Sequence, residues 1–188
     1  TRDPEVAARA RSFRTHGFVR DQQRMTRPDE GPWYAEQHVL GFNYRLTDIQ
    51  CGLGLSQIAK LERFITRRQA IAARYLEALA DLDGLTLPAV REGVKSGWHL
   101  FSVRVPEAGL RRPLFDRLRE VGLGVQVHYL PVYRHPYYQA LGYEDGQCPV
   151  AEDWYARTIT LPLFPRMTDD EVSIVIERVR EAVCDILS

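Results

Sequence analysis

Gly41-Phe42-Asn43-Tyr44-Arg45-Leu46-Thr47-Asp48-Ile49-Gln50 decides how this chain folds, because it leads into the longest helix that the sequence predicts. Thr47 can cap that helix, and Gln50, three residues later, can bond back to the cap backbone, which makes a capping box. Apolar residues then recur at mostly helical spacings and predict a helix that runs to about residue 79. These residues are Ile49, Leu53, Ile58, Leu61, Ile65, Leu76 and Leu79.

The entrance to this helix carries an unusual group of polar side chains. Asn43, Tyr44 and Arg45 follow a glycine directly before the cap. An amide and a guanidinium at a helix N-terminus suit an anion, phosphate above all. A capped turn with a solvated arginine explains the same residues, and spacing alone leaves both interpretations open.

The composition is that of a globular protein. The chain has 188 residues, 45% of them hydrophobic and 27% charged, with a formal net charge of zero. This length suits one domain or a domain and a half. Without a basic excess, a nucleic-acid partner is not expected. No apolar run approaches the roughly 20 residues of a membrane span.

The first residues and the three cysteines indicate the cellular compartment. The first residues, Thr1-Arg2-Asp3-Pro4, lack the apolar core of a signal peptide, and a helix start so near residue 1 predicts a chain cut from something longer. The three cysteines are scattered, which predicts free thiols in a reducing compartment, the cytoplasm. His128 and His135 have no neighbouring ligands at a recognised spacing, so no metal site is expected.

The remaining patterns predict an α/β fold with a long helix followed by a small three-stranded sheet covered by helices. Residues 18–40 form a long loop whose Trp33 and Tyr34 pack either on the body or in a dimer interface. Predicted strands are residues 99–105, 124–129 and 158–162, and predicted helices are residues 4–13, 113–121, 149–157 and 169–186, with a helical turn within 133–142.

Two further groups of residues bear on chemistry. The densest polar-aromatic cluster is a candidate binding wall, with aromatic packing at a domain edge as the alternative; it comprises His128, Tyr129, Tyr133, His135, Tyr137 and Tyr138. The only lysines, Lys60 and Lys95, have the surroundings of solvated surface residues. Gly52 and Gly54 lie inside the predicted long helix, where close packing against another helix would explain them.

Several blocks of the sequence resemble the DegT/StrS-type sugar aminotransferases, which are fold-type-I enzymes dependent on pyridoxal phosphate. The stretch that opens with Gly41 resembles the segment after the family's active-site lysine. Residues 11–17 resemble the preceding helix and turn, and residues 124–131 and 149–165 resemble two C-terminal blocks. Residues 30–34 and 127–131 are most similar to the transaminases of pseudaminic acid synthesis that act on UDP-4-amino-4,6-dideoxy-N-acetyl-L-altrosamine.

The resemblance implies roles for individual residues. Asn43 would reach the phosphate of pyridoxal phosphate in a site shared between the subunits of a homodimer, with Arg45 as a second candidate at the cofactor or at the substrate diphosphate. The side chains implied to line the sugar-nucleotide cleft are His128, Tyr129, His135 and Tyr137. In the family, the Schiff-base lysine lies upstream of the segment that matches, and neither Lys60 nor Lys95 aligns with it.

The chain is therefore expected to be the C-terminal part of a pyridoxal-phosphate-dependent aminotransferase. The complete enzyme would transfer an amino group, with glutamate as donor, to a UDP-linked 4-keto-sugar, and the chain alone would be inactive. Residues 1–45 would be the tail of the large cofactor domain, 46–83 the connecting helix and 84–188 the small domain. Two alternatives stay open: a non-catalytic module that binds sugar nucleotides or assists assembly, and a protein of the same fold that uses a different base for dehydration.

Overall fold

A computed structural model describes residues 1–27 and 33–187 of the chain. Pro28 and the Glu30-Gly31-Pro32 part of the subfamily resemblance lie outside the described residues. The chain forms two compact units, Thr1–Ala59 and Lys60–Ser188. The structure confirms the α/β class. The predicted boundaries after residues 45 and 83 remain a prediction about the complete enzyme.

The first unit contains two helices and a two-stranded antiparallel ribbon. Helix α1 (Pro4–Phe13) begins as the sequence predicts, because the Asp3 carboxylate accepts hydrogen bonds from two backbone N–H groups of the first turn. Strands β1 (Phe18–Val19) and β2 (Glu36–Gln37) pair with each other. Helix α2 (Asp48–Ile58) follows the predicted capping box, in which Thr47 and Gln50 each accept a hydrogen bond from the other's backbone N–H.

Two glycines let the approach to α2 lie against the end of α1. Gly17 adopts φ +78°, and a Cβ atom there would stand 1.7 Å from the carbonyl oxygen of Val39. A Cβ atom on Gly41 would stand 2.3 Å from the backbone nitrogen of Gly17. Both positions therefore require glycine, and their contact fixes where residues 42–46 leave the end of α1.

The predicted long helix is wrong in one respect, since it is divided at Ala59 and Lys60 into α2 and α3 (Leu61–Ala78). Neither residue is glycine or proline, so the sequence carries no break signal there. The apolar stripe also divides. The side chains of Ile49, Leu53 and Ile58 are exposed, whereas α3 buries a different set of residues, Ile71, Ala72 and Tyr75.

The second unit is built on strands β3 (Phe101–Arg104) and β4 (Thr158–Leu161), which pair antiparallel. The predicted strand 124–129 joins them, among the residues that the structure describes, only through a single bridge between Gln126 and Thr160. Four helices pack about this sheet and on one another: α3, α4 (Ala108–Glu120), α6 (Pro149–Arg157) and α7 (Asp169–Leu187). One short helix, α5 (Pro136–Gln139), and a 3-10 turn, Val132–Arg134, connect the bridge segment to α6.

Helix α4 begins five residues before the predicted start, so Pro113 lies inside it rather than at its first position. Proline lacks a backbone N–H and usually disfavours a helix interior. The burial of Leu114 and Leu118, each 1% exposed, provides the opposing stabilisation. Helix α7 begins where predicted, at the second capping box, in which Thr168 and Glu171 exchange hydrogen bonds.

The core of the second unit is apolar, and two side chains of α3 form hydrogen bonds at it. Tyr75 is fully buried, and its hydroxyl donates to the carbonyl oxygen of Pro162 at 2.8 Å. Arg68, also on α3, donates to the carbonyl oxygens of Trp98, His99 and Leu163 at 2.9, 3.2 and 3.1 Å. Two α3 side chains therefore satisfy carbonyl groups of loops distant in sequence. In the part of the chain that the structure describes, no helix has the length and apolar character to span a bilayer.

Candidate functional site

The approach to α2 is fixed by backbone hydrogen bonds to the end of α1. The backbone N–H of Phe42 donates a hydrogen bond to the carbonyl of Phe13 at 2.6 Å. The carbonyl of Phe42 accepts a hydrogen bond from the N–H of His16 at 2.8 Å. Tyr44 donates to the carbonyl of Arg14 at 3.0 Å, and Asn43 forms a β-bridge with Thr15. The strand-like pairing orders the segment that carries Asn43.

Asn43 and Arg45 form a pre-arranged pair of donors. The Nε atom of Arg45 donates to Oδ1 of Asn43 at 2.8 Å, so the oxygen of the amide is engaged and its NH₂ group is left as a donor. Both side chains are exposed. The guanidinium and the amide supply the donors that a phosphate group needs, next to the N-terminus of α2. This donor set fits the phosphate end of pyridoxal phosphate.

The lysines do not fit the aldehyde end of that cofactor. A lysine that forms a Schiff base is activated by desolvation or by a neighbouring cation. The side chain of Lys95 is 64% exposed and lies 3.7 Å from the carboxylate of Glu62, and Lys60 stands at the start of α3, partly exposed. Neither residue therefore has the desolvated or cation-flanked surroundings of a Schiff-base lysine.

A polar cavity of about 470 Å³ lies beside strand β2 in the first unit. Glu36, only 7% exposed, accepts from the N–H of Thr26 at 2.8 Å, the hydroxyl of Thr26 at 2.9 Å and the N–H of Arg27 at 2.7 Å. The ring of His38 lies 2.6 Å from the same carboxylate. These bonds, led by the Thr26 N–H, lower the pKa of Glu36 to about 2. No local sequence pattern predicts this cluster, because Glu36 bonds to residues nine and ten positions away.

In the second unit, the candidate binding wall has an open apolar groove of about 590 Å³ beside it. Two segments of the chain line this groove, and we call them its two sides: one carries Tyr129 and Pro131, and the other carries residues 148–151 and Trp154. Of the four residues expected to bind the sugar nucleotide, only Tyr129 is among the groove-lining residues, while His135 and Tyr137 are exposed outside that set.

His128 lies beside Tyr129, with the two ring centroids 4.5 Å apart in an edge-on arrangement. Its Nδ1 atom is buried and has no hydrogen-bond partner among the residues that the structure describes. A buried ring nitrogen without a partner is uncommon and favours a ligand or a further protein group at this position. The roles of His128, Tyr129, His135 and Tyr137 in substrate binding stay predictions.

A second polar cluster, which no local sequence signal predicts, is formed by residues close in sequence to the groove-lining segments. The hydroxyl of Tyr133 donates to Oε1 of Glu152 at 2.5 Å, and the N–H of Gly146 donates to the same atom at 2.6 Å. Burial and the Glu152 carboxylate raise the pKa of Tyr133 to about 12. Tyr133 appeared in the sequence only as one aromatic residue of several, because nothing local signals a partner 19 residues away.

Known proteins match nearly the whole chain. The family model of the DegT/DnrJ/EryC1/StrS aminotransferase family matches residues 1–180. The spore coat polysaccharide biosynthesis protein SpsC of Bacillus subtilis is 38% identical over 188 residues, which cover 97% of this chain and 48% of SpsC. The chain spans about half the length of the curated relatives it matches.

Solved structures agree with that match. Helicobacter pylori PseC, an aminotransferase involved in the biosynthesis of pseudoaminic acid, is 26% identical with a TM-score of 0.83, over 98% of this chain and 48% of PseC. The PLP-form of the sugar aminotransferase Spr1654 from Streptococcus pneumoniae is 26% identical with a TM-score of 0.82, over 100% of this chain and 46% of Spr1654. This chain belongs to the DegT/DnrJ/EryC1/StrS aminotransferase family.

Proposed function

We propose that this chain forms the C-terminal part of a pyridoxal-phosphate-dependent sugar aminotransferase. The family match over residues 1–180 carries the proposal. In the complete enzyme an amino group passes from glutamate to a UDP-linked 4-keto-sugar, in the cytoplasm. The pseudaminic acid pathway is the proposed context, supported by the likeness to PseC. SpsC, by its name a polysaccharide biosynthesis protein, supports the broader assignment to cell-surface sugars.

Asn43 and Arg45 are proposed to hold the cofactor phosphate in a site that two subunits of a homodimer share. Their donor arrangement supports this role, since the Arg45 guanidinium orients the Asn43 amide through the 2.8 Å bond to its oxygen. A doubly charged phosphate gains from charge-assisted hydrogen bonds with such donors. When bound, pyridoxal phosphate supplies the electron sink through which amino groups are exchanged.

His128, Tyr129, His135 and Tyr137 are proposed to bind the sugar nucleotide. The unpartnered Nδ1 atom of His128 supports a polar ligand there, because a substrate hydroxyl or carbonyl group could complete its hydrogen bonding. The exposed ring of Tyr129 offers a flat surface for a sugar ring or a base. These residues bind and orient the substrate, whereas the lysine that exchanges protons with it is supplied by another part of the enzyme.

The decisive experiment titrates the chain with pyridoxal phosphate, follows the visible absorbance of a lysine adduct and traps any adduct with borohydride. The expected result is no trapped adduct with the chain alone, and adduct formation with transamination of a UDP-4-keto-sugar once the lysine-bearing part is joined to it. Stable trapping on Lys60 or Lys95 would contradict the proposal. Sugar-nucleotide binding by the joined protein without any transamination would favour a non-catalytic binding module.

A further inference from the structure

Glu152 connects the two sides of the apolar groove. It lies on α6, directly after residues 148–151 of one side, and Trp154 of that side follows it. Its Oε1 atom accepts from the hydroxyl of Tyr133 at 2.5 Å, and Tyr133 follows Pro131 of the opposite side by two residues. The two sides of the groove are therefore joined by one short hydrogen bond between residues that do not themselves line it.

The same carboxylate oxygen also fixes the loop between the two sides. It accepts from the N–H of Gly146 at 2.6 Å, and Gly146 has a φ of +89° that favours glycine. The neighbouring residues also pair: Arg134, which follows Tyr133, donates to both carboxylate oxygens of Asp145, which precedes Gly146, at 3.0 and 2.9 Å. Tyr133 and Gly146 are thus joined through the Glu152 carboxylate, and Arg134 and Asp145 are joined directly. Every acceptor in these hydrogen bonds is a carboxylate.

The chemistry of the pair keeps the tie in place at neutral pH. Burial and the neighbouring carboxylate keep the Tyr133 hydroxyl protonated, so it remains a donor. Glu152 forms no salt bridge with a lysine, arginine or histidine among residues 1–27 and 33–187, so these hydrogen bonds are what orient its carboxylate. Glu152 and Tyr133 are not themselves among the residues that line the groove.

We propose that Glu152 is a positioning residue for the sugar nucleotide, because its bonds to Tyr133 and Gly146 set the separation of the two groove sides and thereby the place of Tyr129. The proposal rests on the proposed function of the enzyme and adds a residue that acts on substrate specificity without touching substrate. Glu152 would act on the substrate through Tyr129, since Tyr129 both lines the groove and belongs to the candidate sugar-nucleotide wall.

The test uses the complete enzyme, with its two half-reactions measured separately. Glu152→Ala is expected to raise the KM for the UDP-4-keto-sugar about tenfold, as loss of hydrogen bonds to a charged acceptor allows. The KM for the amino donor should stay unchanged, because the proposal assigns the groove to the sugar nucleotide alone. Tyr133→Phe should act in the same direction. Glu152→Gln should largely restore the KM, because its amide oxygen can accept both hydrogen bonds. Glu144→Ala, in the same exposed loop, is the matched control and should behave as wild type.

Amide hydrogen exchange gives a readout that does not depend on activity. Glu152→Ala should speed exchange in peptides that cover residues 129–137 and 143–148, and Glu144→Ala should not. An unchanged sugar KM with unchanged exchange would overturn the proposal, as would an equal loss of both half-reactions together with a lowered melting temperature. A wild-type enzyme that transaminates no sugar would overturn the proposed function instead, and the exchange result would still decide whether Glu152 orders both sides of the groove.

Discussion

Glu36 and His38, two residues apart along the edge of the β1–β2 ribbon, bring a buried carboxylate oxygen and a ring nitrogen within 2.6 Å of each other. The same carboxylate accepts three hydrogen bonds from Thr26 and Arg27. The cluster therefore ties the segment before the undescribed residues 28–32 to strand β2, which follows them. Its acid is ionised at neutral pH, and this makes the tie sensitive to acid.

The first prediction concerns this acid sensitivity. The folded pKa of Glu36, about 2, lies below its ordinary value of 4.5, so the folded protein binds fewer protons on this group than the unfolded chain. The stability that Glu36 contributes is therefore complete above about pH 4.5 and is lost as the pH falls towards 2. A carbon-detected NMR titration of the Glu36 carboxyl should show the low midpoint. Glu36→Gln should weaken protection of the Thr26 and Arg27 amides at pH 6, and a titration midpoint near 4.5 in wild type would contradict the structure.

The second prediction contrasts glycines in the first unit. Gly41→Ala should destabilise the chain by about 3 kcal/mol, because the new methyl group would meet backbone atoms that cannot move aside. Gly52→Ala is the control, since a Cβ atom there meets nothing within 4 Å, and it should stabilise α2 by roughly 0.5–1 kcal/mol. Thermal unfolding followed by circular dichroism measures both. Equal effects from the two substitutions would show that Gly41 does not approach Gly17 as described.

Gly52→Ala also tests the packing that the sequence suggests for α2. Within the described chain, a Cβ atom on Gly52 or Gly54 would meet nothing within 4 Å beyond the backbone of α2 itself, so their presence is not explained by packing inside this chain. If another subunit or the lysine-bearing part packs on α2, the substitution should weaken that association in the complete enzyme while it stabilises the isolated chain. Sedimentation measures the association in the complete enzyme, and thermal unfolding measures the stability of the isolated chain.

The third prediction concerns the buried Tyr75 hydroxyl. Tyr75→Phe should lower the free energy of unfolding by about 1–2 kcal/mol, because it leaves the partly buried carbonyl of Pro162 without its donor. Urea unfolding is the measurement. Tyr143→Phe is the control, since its ring is 47% exposed, and its effect should stay within about 0.5 kcal/mol. If both variants unfold alike, the bond to Pro162 contributes nothing measurable.

The fourth prediction rests on the proposed function. Asn43→Asp replaces an amide donor with a carboxylate, which would repel the cofactor phosphate and also attract the Arg45 guanidinium to itself. Pyridoxal phosphate should bind the complete enzyme about tenfold more weakly, or worse. Gln57→Glu adds the same charge on the exposed surface of α2 and should leave binding unchanged. Quenching of intrinsic fluorescence by the cofactor measures both, and equal affinities would remove Asn43 from the phosphate site.

Local signals predicted the starts of α1, α2 and α7, but not those of α3 and α4. The caps at Thr47 and Thr168 and the opening of α1 at Pro4 involve residues within three positions of each other, so the sequence contains all of the physics that fixes them. The α/β class was predicted correctly because the order of helices and strands was read from local patterns of the same kind. Signals of this kind do not extend to the break at Lys60, where no glycine or proline stands.

The interactions that pattern reading missed join residues far apart in sequence. Arg68 reaches carbonyl groups 30 and 95 residues away, and Tyr133 meets Glu152 across 19. No spacing rule connects such partners, because the tertiary fold decides which side chains meet. Asn43 and Tyr129 were proposed from residue type and stay predictions, whereas the carboxylates of Glu36 in the first unit and Glu152 in the second, which each order a loop of their own unit, became visible only in the structure.

The scarcity of lysine, first seen in the sequence, has a practical consequence for chemical probing. Of the 25 lysine and arginine residues only Lys60 and Lys95 carry a primary amine. Guanidinium groups keep their charge and do not react as amines with aldehydes or acylating agents at neutral pH. The charge of this chain is therefore almost immune to acetylation, and any label that an amine-directed reagent attaches can be assigned to two side chains and the amino terminus from a single peptide map.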